Sequence, residues 1–90
     1  MPRPPTRIAP VVEEELDDDV CVYLPATNQA MVLNRTAADV WRLLDGQTSV
    51  ETIITALAHA YSVDADDIRA DVLAVVDDLR SRGFLSESSD

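Results

Sequence analysis

From residue 20 the chain alternates. Val20, Val22 and Leu24 fall on one side of an extended segment, and Cys21 and Tyr23 on the other. The run "VCVYL" is rich in β-branched and aromatic residues. "PATN" (25–28) has turn chemistry, and "QAMVL", Gln29 to Leu33, supplies a returning run, so the stretch predicts a β-hairpin. Upstream, "IAPVV" (8–12) predicts a short first strand, which Pro10 confines to an edge or an irregular course. The acidic run "EEELDDD" (13–19) predicts a solvated turn between strands. After Leu33 the period changes from two to 3.6. Asn34 is placed to cap a helix whose Ala37, Val40, Trp41 and Leu44 recur at i, i+3, i+4 and i+7, and Gly46 is placed to end it. Thr48 and Glu51 have capping-box spacing ahead of a second helix with Val50, Ile53, Ile54, Leu57, Ala58 and Tyr61 on its apolar face. Asp64 is the expected cap of a third helix, over residues 65–82, with Ile68, Val72, Val75, Val76 and Leu79 as its core stripe. Gly83 ends it, and Phe84 and Leu85 fold back on the core.

The order is therefore three short strands followed by three helices, an α+β domain with the sheet at its N-terminus. Ninety residues suffice for one such domain. The expected division is a proline-rich, disordered or extended arm over residues 1–7, the domain over 8–85 and a polar tail over 86–90.

Composition narrows what the domain can do. Seventeen acids against seven Lys and Arg give a formal net charge of −10. Such a field repels phosphate backbones and anionic membrane surfaces, and suits a partner with basic residues. Aromatic residues make up only 4% of the chain, so the core must be built from Val, Leu, Ile and Ala with Trp41 as its largest side chain. Cys21 is the single cysteine, no run approaches the length of a membrane span, and no secretion signal is visible; these point to a reducing, cytoplasmic setting.

The chemistry of an enzyme is missing from the pattern. His59 is the single histidine and falls outside its helix's apolar stripe; Cys21 lies in a strand as a small hydrophobe. "DADD" (64–67) resembles the start of a calcium loop. The positions that would need glycine and glutamate are Arg69 and Val75, so a helix start is the better reading. There is no phosphate-cradling glycine loop and no paired-cysteine zinc spacing. No catalytic residue, metal site or cofactor is expected, and what remains is a binding module.

One set of residues says more. Leu33-Asn34, Asp45-Gly46, Val50 and Ile53, Tyr61, Asp71-Val72 and Gly83-Phe84-Leu85 stand in the order and spacing that resemble the PqqD-like family, the small recognition elements of ribosomally made, post-translationally modified peptides (RiPPs). The resemblance covers about residues 20 to 85. It implies a winged helix-turn-helix-like fold with the sheet placed first and no catalysis. It also implies capture of a precursor's leader peptide as an added strand on the third strand, in a cleft against the third helix. The partners implied are the precursor and a modifying enzyme of protease or radical SAM type, in a lasso-peptide or PQQ-like pathway. Trp41 to Leu44 stands where the coenzyme PQQ chaperones often carry a cysteine before Asp-Gly. The expected edge is Gln29, Ala30, Met31, Val32 and Leu33, whose free N–H and C=O groups an extended peptide can satisfy. On the third helix Leu73 and Ala74 lie beyond the core set. Arg69, Leu73, Val76 and Arg80, at i, i+4, i+7 and i+11, form the face expected to line the cleft, with the two arginines receiving acidic leader residues.

Three helices with a small sheet also build winged-helix DNA-binding regulators, the alternative reading. Such a domain carries a basic recognition helix, whereas here Asp66, Asp67, Asp71, Asp77 and Asp78 outnumber Arg69, Arg80 and Arg82. A carrier protein would need a serine for its phosphopantetheine arm in an Asp-Ser-Leu context, and that triplet is absent.

Overall fold

The structure, a computed structural model, describes residues 5–8 and 10–86. The hairpin forms as the alternation demands: β3 (Asp19–Leu24) pairs antiparallel with β4 (Gln29–Leu33), with Val22 opposite Met31 and Val20 opposite Leu33. Val20, Val22 and Leu24 are buried, while Cys21 and Tyr23 on the other face are half-buried. The turn between them holds Asn28 in the left-handed region, and its side chain accepts a hydrogen bond from the Tyr23 hydroxyl at 2.8 Å.

The first strand of this sheet is not where the hydrophobic pattern placed it. β2 (Val12–Leu16) begins only at Val12 and runs through most of the acidic stretch, pairing with β3 in the order β2-β3-β4. The turn is reduced to Asp17 and Asp18, with Asp17 at positive φ, a conformation aspartate tolerates. All five residues of β2 are exposed, so no apolar alternation marks it. The physical reason lies across the sheet. Residues directly opposite one another share a face, so Glu13, opposite Val22, and Glu15, opposite Val20, point to the helix side. There the Trp41 indole donates to Glu13 at 2.8 Å, and Arg42 pairs with Glu15 at 3.2 Å. Two carboxylates of the stretch expected to be a solvated turn thus occupy helix-side positions of a strand.

The helices α1 (Arg35–Leu43), α2 (Val50–Tyr61) and α3 (Ala65–Ser81) share one core with the Val22 face of the sheet, α1 against β3 and β4, and α2 and α3 against α1 and each other. Asn34 caps α1, accepting from the Ala37 N–H at 2.9 Å. α1 ends at Leu43, before Gly46. The positive φ of Gly46 serves instead to bend the chain beneath the N-terminal segment: its N–H donates to Pro5 O, and a Cβ there would lie 3.1 Å from the Thr6 Cβ. Ser49, not Thr48, caps α2 by accepting from Thr52 N; the Thr48 hydroxyl is drawn to Asp45. Asp64 starts α3 but its side chain makes no capping bond, and Gly83, at φ 83°, follows the helix as expected.

The core contains Trp41, Phe84, Leu33, Leu44, Ile53, Ile54, Leu79, Val22, Val40, Val72 and Val76 as fully buried side chains, with no buried polar or charged residue among those described. Stability therefore rests on apolar burial, about 1.5–3 kcal/mol for each large side chain. Trp41 packs edge-on against Phe84 at 6.1 Å between ring centroids, with the Arg7 guanidinium 5.8 Å from its own ring centre.

The N-terminal segment belongs to the domain from residue 5 onward, and the expected arm over 1–7 is shortened accordingly. Pro5 is buried, and β1 (Thr6–Arg7) pairs with β5 (Leu85–Ser86). Arg7 N donates to Leu44 O and Ile8 N to Phe84 O. Residues 1–4 of that arm and 87–90 of the polar tail lie outside the described residues.

Candidate functional site

The sheet has two edges, β2 and β4. Along β4, Gln29, Met31 and Leu33 share the helix-side face with Leu24, Val22 and Val20, while Ala30 and Val32 lie on the outer face, where Val32 is 60% exposed. Leu33 is buried and Met31 half-buried. No described strand pairs with the outer side of β4, so backbone donors and acceptors along it are open to an incoming strand.

Beside that edge runs a groove. Met31, Val32, Leu33, Asn34 and Ala37 form one wall, and Ala74, Val75 and Asp78 of α3 form the other, enclosing about 250 Å³. Its continuation past the end of the strand is lined by Asn34, Thr36, Asp71, Ala74 and Val75. Small residues at Ala37 and Ala74 leave the width, and Val75 adds an apolar surface to the α3 wall beside the polar Asp78.

The α3 wall is not the one the sequence spacing suggested. At about 100° per residue, the row of Arg69, Leu73, Val76 and Arg80 lies roughly 180° around the helix from Asp71, Ala74, Val75 and Asp78. The core stripe of Ile68, Val72 and Leu79 separates the two flanks on one side of the helix. Arg69 turns to α2 and pairs with Glu51, with Asp66 3.9 Å away. Val76 is 2% exposed within the core, Leu73 is exposed, and Arg80 pairs with Asp77 at 2.8 Å. None of the four is among the groove-lining residues. The edge Gln29–Leu33 and a cleft against α3 are brought together, but with the opposite flank of the helix. Asp71, Ala74, Val75 and Asp78, at i, i+3, i+4 and i+7, form a second stripe beside the core. Only Ala74, an apolar residue beyond the core set, signalled it in the sequence.

Elsewhere the candidates for chemistry stay apart. His59 is exposed on α2, and Cys21 is half-buried on the sheet's outer face. Among the described residues, no group of three His, Cys, Asp or Glu is placed to hold a metal ion, and no helix is long and apolar enough to cross a membrane. Burial and the hydrogen bond to Asp39 push the Tyr61 phenol above its usual pKa. The bases of α3 and its C-cap are engaged with that segment's own acids or with Glu51, including Arg82 with Asp78 at 3.0 Å. They do not form the open basic row that a phosphate backbone needs.

A strand edge beside a groove of mixed apolar and polar lining, on a domain with its sheet first, is a geometry that an extended peptide can occupy. The chain belongs to the PqqD family: the family model described as coenzyme PQQ synthesis protein D matches residues 19–85. The PqqA binding protein of Rhodopseudomonas palustris (strain HaA2) is 38% identical over 63 residues, 70% of this chain and 62% of that protein. The PqqA binding protein of Gluconobacter oxydans (strain 621H) is 38% identical over 60 residues, 67% of this chain and 62% of its own. The chain thus spans 62% of the length of these curated relatives. Among solved structures, TbiB1 in complex with the TbiA(beta) leader peptide superposes with a TM-score of 0.79 at 25% identity, covering 94% of this chain and 99% of that one. The PqqD portion of Methylobacterium extorquens PqqCD, a stand-alone RiPP recognition element, superposes with a TM-score of 0.74 at 24% identity, covering 91% of this chain and 87% of that one. These matches support the expected fold: a three-stranded antiparallel sheet followed by three helices.

Proposed function

We propose that this chain captures the leader segment of a ribosomally synthesised precursor peptide as a fourth strand on β4 and presents the precursor to a modifying enzyme, without catalysing a reaction itself. The observation that carries this reading is the open β4 edge flanked by the Ala74–Val75 wall of α3. Main-chain bonds along Gln29, Ala30, Met31, Val32 and Leu33 would give affinity, and side chains alternating into the groove would give specificity. Membership of the PqqD family and the likeness to a protein solved with a leader peptide support it.

The test is amide NMR of the labelled protein titrated with peptides that bind it, beginning with the leader of the precursor encoded nearest its gene. Shifts are expected at Gln29 to Leu33 and at Ala74 to Asp78. Shifts confined to the exposed surface of α2 around Thr52 and Thr55 would refute strand addition.

A further inference from the structure

The groove does not stop where β4 ends. From Asn34 and Thr36 it passes Asp71 and continues to a hollow lined by Thr36, Tyr61, Val63, Asp67, Ile68 and Asp71. The two stretches share Thr36 and Asp71, so the channel follows α3 from Asp78 back to Asp67. At 1.5 Å per residue that is about 16 Å of helix, comparable to the whole of a five-residue strand.

The acids along it are aligned. Asp67, Asp71 and Asp78 fall within about 40° of one another around α3. Asp78 already pairs with Arg82. Asp67 and Asp71 form no ion pair among the described residues. Arg35 acts on Tyr61 at the far end of the channel and pairs with neither aspartate. Tyr61 itself is held by Asp39. The channel wall past the strand edge is therefore apolar at Val63 and Ile68 and negative at Asp67 and Asp71.

From this we infer that the bound leader extends beyond the added strand and carries two basic residues, spaced i and i+2, against Asp67 and Asp71. The spacing follows from geometry. Four residues of helix separate the aspartates by about 6 Å along the axis, and an extended peptide advances about 6.6 Å in two residues, returning to the same face. The inference rests on the leader-capture reading and reverses the acidic leader that the Arg69 and Arg80 row suggested. It assigns specificity to residues outside the strand edge.

A phage-displayed library of random twelve-residue peptides, selected on the full chain, tests it. Clones whose peptides shift the Gln29 to Leu33 amides should be enriched in Lys or Arg at i and i+2. A control is required, because a chain of net charge −10 attracts any basic peptide. The double variant Asp67→Asn/Asp71→Asn should bind the selected peptides about fivefold more weakly, the loss expected of two partly exposed ion pairs. The variant Asp17→Asn/Asp18→Asn removes the same two charges from the distant β2–β3 turn and should change affinity less than twofold. Equal losses in the two variants would reduce the effect to overall charge and overturn the inference. Clones that engage β4 without the basic pair would overturn it while leaving leader capture intact. If no clone engages β4, both fall together.

Discussion

The two edges of one sheet have been given opposite fates. β2 is acidic and tied down: Glu13 accepts from the Trp41 indole, Glu15 pairs with Arg42, and the exposed Glu14 adds a third like charge on the opposite face. A strand with charged residues at three successive positions is a poor template for another strand. β4 carries no charged residue, lies beside the groove against α3 and has no partner on its outer side among the described strands. The family match begins at residue 19, so it takes in β4 and α3 and leaves out β2. The difference teaches that edge protection here is asymmetric: charge closes one side of the sheet and leaves the other side open.

The tethered side should be the one whose loss unfolds the domain. Trp41 meets Phe84, Arg7 and Glu13 at once, joining α1 to the C-terminal segment, the N-terminal segment and β2. Trp41→Ala is expected to cost about 3–5 kcal/mol, as truncation of buried aromatics does. For a domain this small that approaches its whole stability. Urea unfolding followed by circular dichroism measures it. Trp41→Phe keeps most of the buried surface and loses the bond to Glu13, so it should cost markedly less. If both variants melt alongside the parent, β2 and the terminal segments are not held through this residue.

The open side should tolerate backbone change yet lose binding. Successive N–H groups of a strand point to opposite edges, so one of Met31→Pro and Val32→Pro removes an outward donor and the other breaks the ladder to β3. The outward variant should fold and bind its peptide at least tenfold more weakly, about 1.4 kcal/mol. Proline at Glu14 or Glu15, where it removes the outward donor of β2, should leave affinity within twofold. Isothermal titration of the four folded or partly folded variants ranks the edges. Equal losses at β2 and β4 would show that the peptide does not add to β4.

Much of this asymmetry was legible before the structure, and the exceptions share a cause. The hairpin, the Asn34 cap, the stripes of all three helices and the Gly83–Phe84 return follow from local periodicity and capping. β2 was hidden because its identity depends on contacts 27 and 28 residues away, from Arg42 and Trp41, and no short-range pattern encodes them. β1 was hidden for the same reason, since its partner is β5 at the far end of the chain. For α3 the sequence showed that apolar positions remained beyond the core stripe, but not which flank met the sheet. Arg69, Leu73, Val76 and Arg80 form as regular a row as Asp71, Ala74, Val75 and Asp78. Only packing, with Arg69 drawn to Glu51 on α2, decides between them.

The smallest expected effect lies at the loop that supports the tethered side. Asp45 Oδ1 accepts from Gln47 N at 2.9 Å and Thr48 N at 2.8 Å, and Oδ2 accepts from the Thr48 hydroxyl at 3.2 Å. Those bonds from backbone N–H groups, first Gln47 and then Thr48, hold the Asp45 carboxyl below its ordinary value of 3.8. A carboxyl with a folded pKa below its unfolded one contributes stability that is fully present above 3.8 and is lost as pH falls through the lower folded value. Asp45→Asn keeps an acceptor oxygen but not the charge. The parent should therefore melt slightly above this variant at pH 6, and the gap should close as the pH drops beneath 3.8. Removing one negative charge also relieves repulsion in a chain of net charge −10, which acts in the opposite direction at pH 6. Salt separates the two: at about 1 M the Debye length is roughly 3 Å, which screens the long-range repulsion while bonds of under 3 Å persist. Thermal melts at pH 6 and pH 3 in high salt thus read the loop alone. A variant as stable as the parent at pH 6 under those conditions would show that Asp45 contributes nothing to holding the α1–α2 connection.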